Sequence, residues 1–244
     1  MRAWMAVIGV LALLCSVAGA ATQTTETLKG SSGELKITRL GHASVKFDFN
    51  GKVIYADPFG KFGDYAKLPK ADLILITHEH FDHLDMEAIS KIKTDKTVIV
   101  SSAAAAEKNK GFKVMKNGDT ITELGFKIEA VPAYNVVHKR DNGQPFHPKG
   151  HGNGYVINFG DLRVYVAGDT ENIPEMKDLK GITAAFLPAN LPYTMTGQMV
   201  ADAAKAIKPK YLFPYHYDMG DSQLGKVVNL MKDVPGIEIR GIGK

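Results

Sequence analysis

The segment from Thr77 to His83 concentrates metal-binding side chains. Three of the eight histidines in the chain lie within six consecutive positions together with Asp82, in the sequence His78-Glu79-His80-Phe81-Asp82-His83. Alternate residues of an extended segment point the same way, so His78 and His80 are expected to bind one ion. Asp82 and His83, where the chain turns, would reach a second. Bound zinc lowers the pKa of its water to about 7, so such a site would supply hydroxide for hydrolysis at neutral pH.

A strand-to-helix connection is predicted to position these ligands. The apolar run Leu73-Ile74-Leu75-Ile76 is typical of a buried strand, and the stretch from Leu84 to Ser90 is typical of a helix. The ligands would therefore lie on the loop between them. A surface loop that contains histidines by chance is the alternative, and the density of ligands argues against it.

Three further motifs accompany this loop. Tyr55-Ala56-Asp57-Pro58 precedes it. A strand with the turn Gly168-Asp169-Thr170 after it and the segment Tyr211-Leu212-Phe213-Pro214-Tyr215-His216 follow it. With the His-x-His-x-Asp-His loop, their order and wide spacing make the chain resemble the metallo-β-lactamase fold superfamily from about Leu35 to Lys244. That resemblance implies an α/β fold, a four-layer αβ/βα sandwich with metal ions at one rim.

The resemblance also implies a ligand set. His78 and His80 would hold the first ion, Asp82, His83 and His216 the second, and Asp169 both, so that the two aspartates take part directly in catalysis. Taken alone, Asp169 could be a turn residue and His216 a buried core histidine. Asp57 would orient the metal loop, or could equally form a turn before Pro58. Glu79 is expected to point outward and has no assigned role.

One ligand of the family pattern is missing. Where the family's third histidine is expected, after Val131-Pro132-Ala133, this chain has Tyr134-Asn135. His138, His147 and His151 lie in the loop that follows, and His147 is preferred because Phe146 and Pro148 could fix its direction. Otherwise Asn135 or Tyr134 would coordinate weakly, or the protein would use a single ion. Zinc is the default for one or two ions per chain, with manganese or iron as alternatives for mixed histidine and carboxylate ligands.

The predicted activity is metal-dependent hydrolysis of an ester-like bond by metal-bound hydroxide. Leu187-Pro188, Tyr193-Thr194-Met195 and the Pro209 to His216 segment look most similar to the sugar-lactonase and phospholipase-D-like branch of stand-alone hydrolases, which implies a lactone or phosphodiester substrate. A small-molecule substrate with an anionic group would suit the basic stretch His138-Lys139-Arg140 if the Pro132 to Gly154 loop folds over the ions. Tyr193 would contact the substrate or simply pack.

Two other classes of protein compete with this interpretation. A non-catalytic metal- or ligand-binding protein of the same fold would explain the missing third histidine. A redox member of the superfamily with a di-iron centre would need extra carboxylate ligands and a flavin domain, and the sequence contains neither. The altered third-histidine region also disfavours β-lactam hydrolysis.

Composition and the amino terminus place limits on organisation and location. With 45% hydrophobic and 23% charged residues over 244 positions and no dividing linker, residues 21–244 are expected to form a single domain.

Residues 1–20 are typical of a signal peptide, with Arg2, an apolar run from Met5 to Leu14, and Ala18-Gly19-Ala20 before the cleavage point. Cleavage would remove Cys15, the only cysteine, and predicts a periplasmic or secreted protein without disulfides or stable membrane insertion. An uncleaved amino-terminal anchor is the alternative, and a lipid anchor on Cys15 is disfavoured because bulky Leu14 precedes it. The net charge of +4, falling to +3, is too small to indicate nucleic-acid binding, and the oligomeric state stays open.

The remaining pattern predicts alternating strands and helices. Three short runs that open the domain, Leu35 to Leu40, Ser44 to Phe49 and Lys52 to Tyr55, indicate hairpins, with Asn50-Gly51 as one turn. The other predicted strands are Val98 to Val100, Phe126 to Val131, Tyr155 to Phe159, Arg163 to Val166, Ala184 to Leu187 and Tyr211 to Pro214. The predicted helices are Met86 to Ile92, Ala103 to Lys110, Gln198 to Ile207 and Ser222 to Met231. By itself this pattern would suit other layered α/β folds equally well.

Overall fold

The first half of the chain forms one seven-stranded sheet in the computed structural model, which describes residues 23–217 and 222–242. The predicted signal peptide and Cys15 lie outside the described residues. The strands are β1 (Thr24–Gly30), β2 (Gly33–Gly41), β3 (Ser44–Phe49), β4 (Lys52–Ala56), β5 (Leu73–Ile76), β6 (Val98–Ser101) and β7 (Lys113–Val114). They pair in sequence order, antiparallel from β1 to β4 and parallel from β4 to β7.

The second half repeats this arrangement. Its strands are β8 (Thr120–Glu123), β9 (Phe126–Ala133), β10 (Gly152–Phe159), β11 (Leu162–Val166), β12 (Ala184–Pro188), β13 (Tyr211–Tyr215) and β14 (Glu238–Ile239). Pairing is antiparallel from β8 to β11 and parallel from β11 to β14, again in sequence order. Each half of the chain therefore builds one complete sheet.

Among the described residues, four α-helices cover the outer faces of the two sheets. They are α1 (Met86–Ile92), α2 (Ala103–Lys108), α3 (Gly197–Ile207) and α4 (Ser222–Met231). Strand β5 shows why the layers form: Leu73 and Leu75 join the core between the sheets, whereas Ile74 and Ile76 pack in the core beneath α1 and α2. Because both faces are covered, every residue of this parallel strand is apolar and buried. The predicted α/β four-layer sandwich is confirmed.

One rim of the sandwich collects the loops that bear polar residues. Strands β2, β4 and β5 run in the same direction in the first sheet, as β9, β11, β12 and β13 do in the second. The loops after their carboxyl ends therefore meet at the same edge, which is where α/β sheets generally bind ligands. The backbone N–H of His216 donates to the carbonyl of His42 at 2.9 Å and joins the two sheets there.

The predicted elements are largely correct, with four strands missed. Sequence patterns did not predict β1, β7, β8 or β14, and the helix after the metal loop begins at Met86 rather than Leu84. The predicted loop from Pro132 to Gly154 was too long, because β9 continues to Ala133 and β10 begins at Gly152. Among the described residues, no helix has the length and apolar character needed to cross a membrane.

Candidate metal centre

Asp57 anchors the loop that follows β5. Its side chain is fully buried, and its backbone has a φ of +46° at the end of β4. One carboxylate oxygen accepts the backbone N–H of Thr77 at 2.8 Å, and the other accepts the Thr77 hydroxyl at 2.7 Å and the Nδ1–H of His83 at 2.8 Å. Thr77 Oγ1 in turn lies 3.0 Å from Nδ1 of His78. These bonds leave Nε2 of both histidines directed toward the rim.

A first ligand group comprises His78, His80, His147 and one oxygen of Asp169. The distance from His80 Nδ1 is 3.0 Å to His78 Nε2 and 3.3 Å to His147 Nε2. Asp169 Oδ2 lies 3.3 Å from His147 Nε2 and 3.9 Å from His78 Nε2. Three imidazole nitrogens and a carboxylate oxygen thus converge on one point at the rim.

A second ligand group comprises Asp82, His83, His216 and the other oxygen of Asp169. His83 Nε2 lies 3.1 Å from His216 Nε2, and Asp169 Oδ1 lies 3.3 Å and 3.2 Å from these two nitrogens. Asp82 Oδ2 is 3.7 Å from His83 Nε2 and 3.6 Å from His216 Nε2. Asp169 therefore presents one oxygen to each group.

The spacing of these atoms fits bound metal ions. Zinc–nitrogen bonds of about 2.0–2.1 Å at tetrahedral angles place ligand atoms roughly 3.3–3.4 Å apart, close to most of the distances within both groups. Asp169 Oδ1 is buried without a hydrogen-bond partner among the described residues. A buried carboxylate oxygen in that condition is costly unless a cation approaches it. The residues present therefore suit two ions that share Asp169.

The electrostatics of the groups are consistent with cation binding. Burial lowers the pKa of His78 well below its usual value and that of His147 to about 4, so both rings are neutral, the form that binds metal. Burial would raise the pKa of Asp82 and Asp169, but the surrounding histidines hold both well below their usual range. Burial would likewise lower the pKa of His83, but Asp169 and Asp57 raise it well above its usual value. A positive charge is therefore favoured between the carboxylates.

Comparison with known proteins identifies the family. The model of the beta-lactamase superfamily domain matches residues 36–216. The chain belongs to the beta-lactamase superfamily. A UPF0173 metal-dependent hydrolase of Thermococcus onnurineus is 35% identical over 196 residues, covering 75% of this chain and 85% of the relative. A UPF0173 metal-dependent hydrolase of Ligilactobacillus salivarius is 32% identical over 212 residues, covering 82% of this chain and 93% of the relative.

A solved structure supports the same assignment. The crystal structure of a candidate metal-dependent hydrolase from Parabacteroides distasonis is 48% identical, covers 89% of this chain and 97% of its own, and superposes with a TM-score of 0.84. Together with the curated relatives, it identifies this chain as a metal-dependent hydrolase of the superfamily. The predicted enzyme class is confirmed.

The hydrolase brings the sequence-predicted ligands together. All seven residues proposed as metal ligands lie in the two groups: His78, His80, Asp82, His83, His147, Asp169 and His216. Glu79 differs from its prediction, because its side chain is only 15% exposed and accepts a bond from His151 Nε2 at 2.9 Å. Its carboxylate therefore does not project freely into solvent.

His147 is the histidine of this loop that lies in the first ligand group. Asn135 Oδ1 accepts both the backbone N–H and the ring Nδ1–H of His147, each at 2.8 Å, which leaves Nε2 free to face the first ligand group. The Tyr134 hydroxyl donates to Glu175 at 2.9 Å. His138 Nδ1 lies against Glu171, and His151 against Glu79. Among the alternatives left open by the sequence, only His147 lies with the other ligands.

His42 is a site residue that sequence reasoning missed. It lies between β2 and β3 with a φ of +52°, and its Nε2 is 3.0 Å from Asp82 Oδ2. Its ring centroid is 3.9 Å from that of His216. The available signal was a Gly41-His42 turn between two predicted strands. Six of the eight histidines thus surround this rim.

A cleft of about 410 Å³ opens over both ligand groups. Asp82, Asp169 and several of the histidines form its floor, while Phe59, Phe146 and Tyr193 contribute to its sides. Tyr193 is 46% exposed, and its ring packs edge-on against Phe146 at 5.1 Å. Asn135 fixes the loop of Tyr193 by donating to its carbonyl at 2.9 Å. The structure therefore places Tyr193 within reach of a molecule bound in the cleft.

Proposed function

We propose that this hydrolase uses two metal ions, zinc by default, to cleave the ester-like bond of a lactone or a phosphodiester. The observation that carries the proposal is the position of Asp169, whose two oxygens face different ligand groups. A carboxylate that is buried and shared in this way suits a pair of ions better than one. When bound, such ions supply an activated water at neutral pH and a Lewis acid for the substrate oxygen.

The side chains at the rim orient the metal ligands and contact the substrate. His147 and His83 are held in the tautomer that exposes Nε2 by Asn135 and Asp57 respectively, so the ligand geometry is set before any ion arrives. Asp82 and Asp169 are the only carboxylates that line the cleft among the described residues, and both belong to the ligand groups. We assign Tyr193 to substrate contact, because its exposed ring lines the same cleft.

Turnover that depends on reconstituted metal tests this function. The protein would be stripped of ions, reloaded with zinc or manganese, and assayed with bis(4-nitrophenyl) phosphate and with the aryl lactone dihydrocoumarin. We expect hydrolysis of at least one, and a loss of about 100-fold or more in Asp169→Asn, because one carboxylate serves both groups. Exposed Lys96→Gln is the matched control. Rates equal to those of free metal would refute the proposal.

The two competing functions find less support. A non-catalytic binding protein was suggested by the missing third histidine, and His147 lies where that ligand would be needed. For a di-iron redox centre, extra carboxylate ligands would be required, but Asp82 and Asp169 are the only carboxylates in the two ligand groups among the described residues. Hydrolysis of an ester-like bond therefore remains the proposed function.

We also propose that the protein is exported to the periplasm or secreted. The support is the amino-terminal sequence alone, with Arg2, the apolar run and the small residues that end at Ala20. Mass spectrometry of the protein from periplasmic, medium and cytoplasmic fractions would test this. We expect a mature chain that begins at Ala21, and an intact amino terminus in the cytoplasm would contradict it.

A further inference from the structure

Three phenylalanines form one wall of the cleft. The Phe59 ring centroid lies 5.9 Å from that of Phe62 and 5.8 Å from that of Phe81, and Phe62 stacks on His42 at 5.6 Å. Phe81 is 77% exposed although it lies within the metal loop, and no other large apolar side chain among the described residues is as exposed. An aromatic ring held in water at the mouth of a cavity is a surface that a bound molecule can cover.

Phe146 and Tyr193 form a second wall of the cleft. Their rings pack edge-on, and the Arg140 guanidinium lies 5.1 Å from the centre of the Phe146 ring. The same guanidinium donates to the carbonyl of Phe146 at 3.3 Å. The Arg140 side chain is thereby held beside the cleft rather than extended away from it.

Each wall carries one cation that has no carboxylate partner among the described residues. Lys61 Nζ lies 5.4 Å from the centre of the Phe62 ring, as Arg140 does near Phe146. Both residues are exposed and line the cleft, and neither forms an ion pair with a described residue. The two carboxylates of the cleft, Asp82 and Asp169, belong to the ligand groups on its floor. The mouth is therefore positively charged between apolar walls.

We propose that the cleft selects small molecules that join a flat apolar portion to a carboxylate, with the apolar portion between the phenylalanine walls and the anion bound by Lys61 and Arg140. This inference rests on the proposed hydrolytic function and names the substrate class of the same site. A cleft of about 410 Å³ lies within the range of about 300–1,000 Å³ usual for small-molecule sites. The scissile bond would face the floor while the carboxylate lies at the mouth.

Binding of a matched pair of probes tests this inference without requiring turnover. Naphthalene-2-carboxylate and its neutral counterpart 2-naphthamide would be titrated calorimetrically into the metal-loaded protein. We expect the anion to bind about tenfold more tightly, and this preference to fall about threefold in Lys61→Gln or Arg140→Gln and to disappear in the double variant. Phe81→Ala should weaken both probes alike. Lys96→Gln, at the opposite edge of the first sheet before β6, is the control for a lost surface charge.

The outcomes separate this inference from the proposed function. Equal binding of the two probes would overturn the inference. A preference for the anion that survives in the double variant would also overturn it, because the carboxylate would then be bound by the ions on the floor. If the anion preference depends on Lys61 and Arg140 while neither a lactone nor a phosphodiester is hydrolysed, the binding inference stands and the proposed reaction fails.

Discussion

His42 Nε2 lies 3.0 Å from Asp82 Oδ2, although 40 residues separate the two along the chain. The carbonyl of His42 also accepts the backbone N–H of His216 at 2.9 Å. One residue in a turn of the first sheet thus contacts two residues of the second ligand group, one from each sheet. Such contacts commonly fix the orientation of metal ligands.

Substitution of His42 should weaken the second ligand group selectively. In His42→Gln the amide nitrogen can replace ring Nε2 beside Asp82, whereas the shorter His42→Asn cannot reach it. We expect near-normal metal content for Gln and about 10- to 100-fold weaker binding of one ion for Asn, measured by elemental analysis and competition with a chelator. Asparagine tolerates a positive φ well, so backbone strain would not explain weaker metal binding by His42→Asn. Equal metal binding by both variants and wild type would show that His42 only packs.

Asn135 should control the first ligand group through His147. Asn135→Ala removes the oxygen that accepts both N–H groups of His147, whereas Asn135→Asp retains an acceptor. We expect His147→Ala to lose one ion per chain, Asn135→Ala to bind that ion about 10- to 100-fold more weakly, and Asn135→Asp to bind it almost normally. Metal content per chain after dialysis gives the answer. A His147→Ala protein with an unchanged metal content would exclude His147 as a ligand.

Asp57→Asn should destabilise the fold as well as the site. The amide retains at most one of the two acceptor oxygens, so a buried N–H of Thr77 or His83 loses its partner. We expect a loss of about 1–3 kcal/mol in the free energy of unfolding. Urea denaturation of the metal-free proteins measures this effect separately from metal loss. Unchanged stability would mean that the surrounding residues reorganise around the amide.

Removal of metal should lower the melting temperature. Ions that bind only the folded state stabilise it by about 4 kcal/mol when the free ion is about 1,000 times its dissociation constant. We therefore expect a chelator to lower the melting temperature and added zinc to restore it, as followed by scanning calorimetry. Asp169→Asn should respond much less, because the amide takes one carboxylate oxygen from one group and removes the negative charge that serves both. A wild-type transition that is indifferent to chelator would argue against tightly bound ions.

Asp72 predicts a pH dependence of stability remote from the metal groups. Partial burial would raise its pKa, but the Lys52 ammonium and the backbone N–H of Val53, each at 2.9 Å, lower it. Because the folded pKa is lowered, this stability is present above the unfolded value of about 3.9 and is lost as the pH falls through the folded pKa. Wild type should be more stable than Asp72→Asn by about 0.5–1 kcal/mol at pH 7, and the difference should shrink at acidic pH as the folded carboxylate becomes protonated. Urea titrations at pH 7 and at acidic pH would measure this difference in the free energy of unfolding. A difference that does not change with pH would contradict the prediction.

Local spacing was sufficient to predict part of the site. His78, His80, Asp82 and His83 lie within six consecutive positions, so a short sequence window shows their common loop. The resemblance to a family supplied Asp169 and His216. His147 had two rivals in the same loop, and the decision depends on contacts across the fold. Asn135 lies 12 residues from His147, and Glu171 holds His138 from 33 residues away.

Other features had no strong local signal. His42 stands alone among apolar and small residues, and its relation to Asp82 arises only when β2 and β5 are placed in one sheet. Strand β1 was missed because Leu28 is its only buried residue and its remaining side chains are largely polar. Pairing with β2, rather than burial of an apolar face, makes it a strand. Helix α4 was predicted with the bounds that the structure describes, Ser222–Met231, because its apolar periodicity is clear.

Each half of the chain builds one sheet, and the metal centre forms only where the two halves meet. Each ligand group draws two residues from before the connection 115–119 and two from after it: His78 and His80 with His147 and Asp169, and Asp82 and His83 with Asp169 and His216. A chain cut within that connection would yield two fragments, each with an entire sheet and neither with a complete ligand set. Metal uptake would then report the reassembly of the halves, because each ion would be coordinated by residues of both fragments.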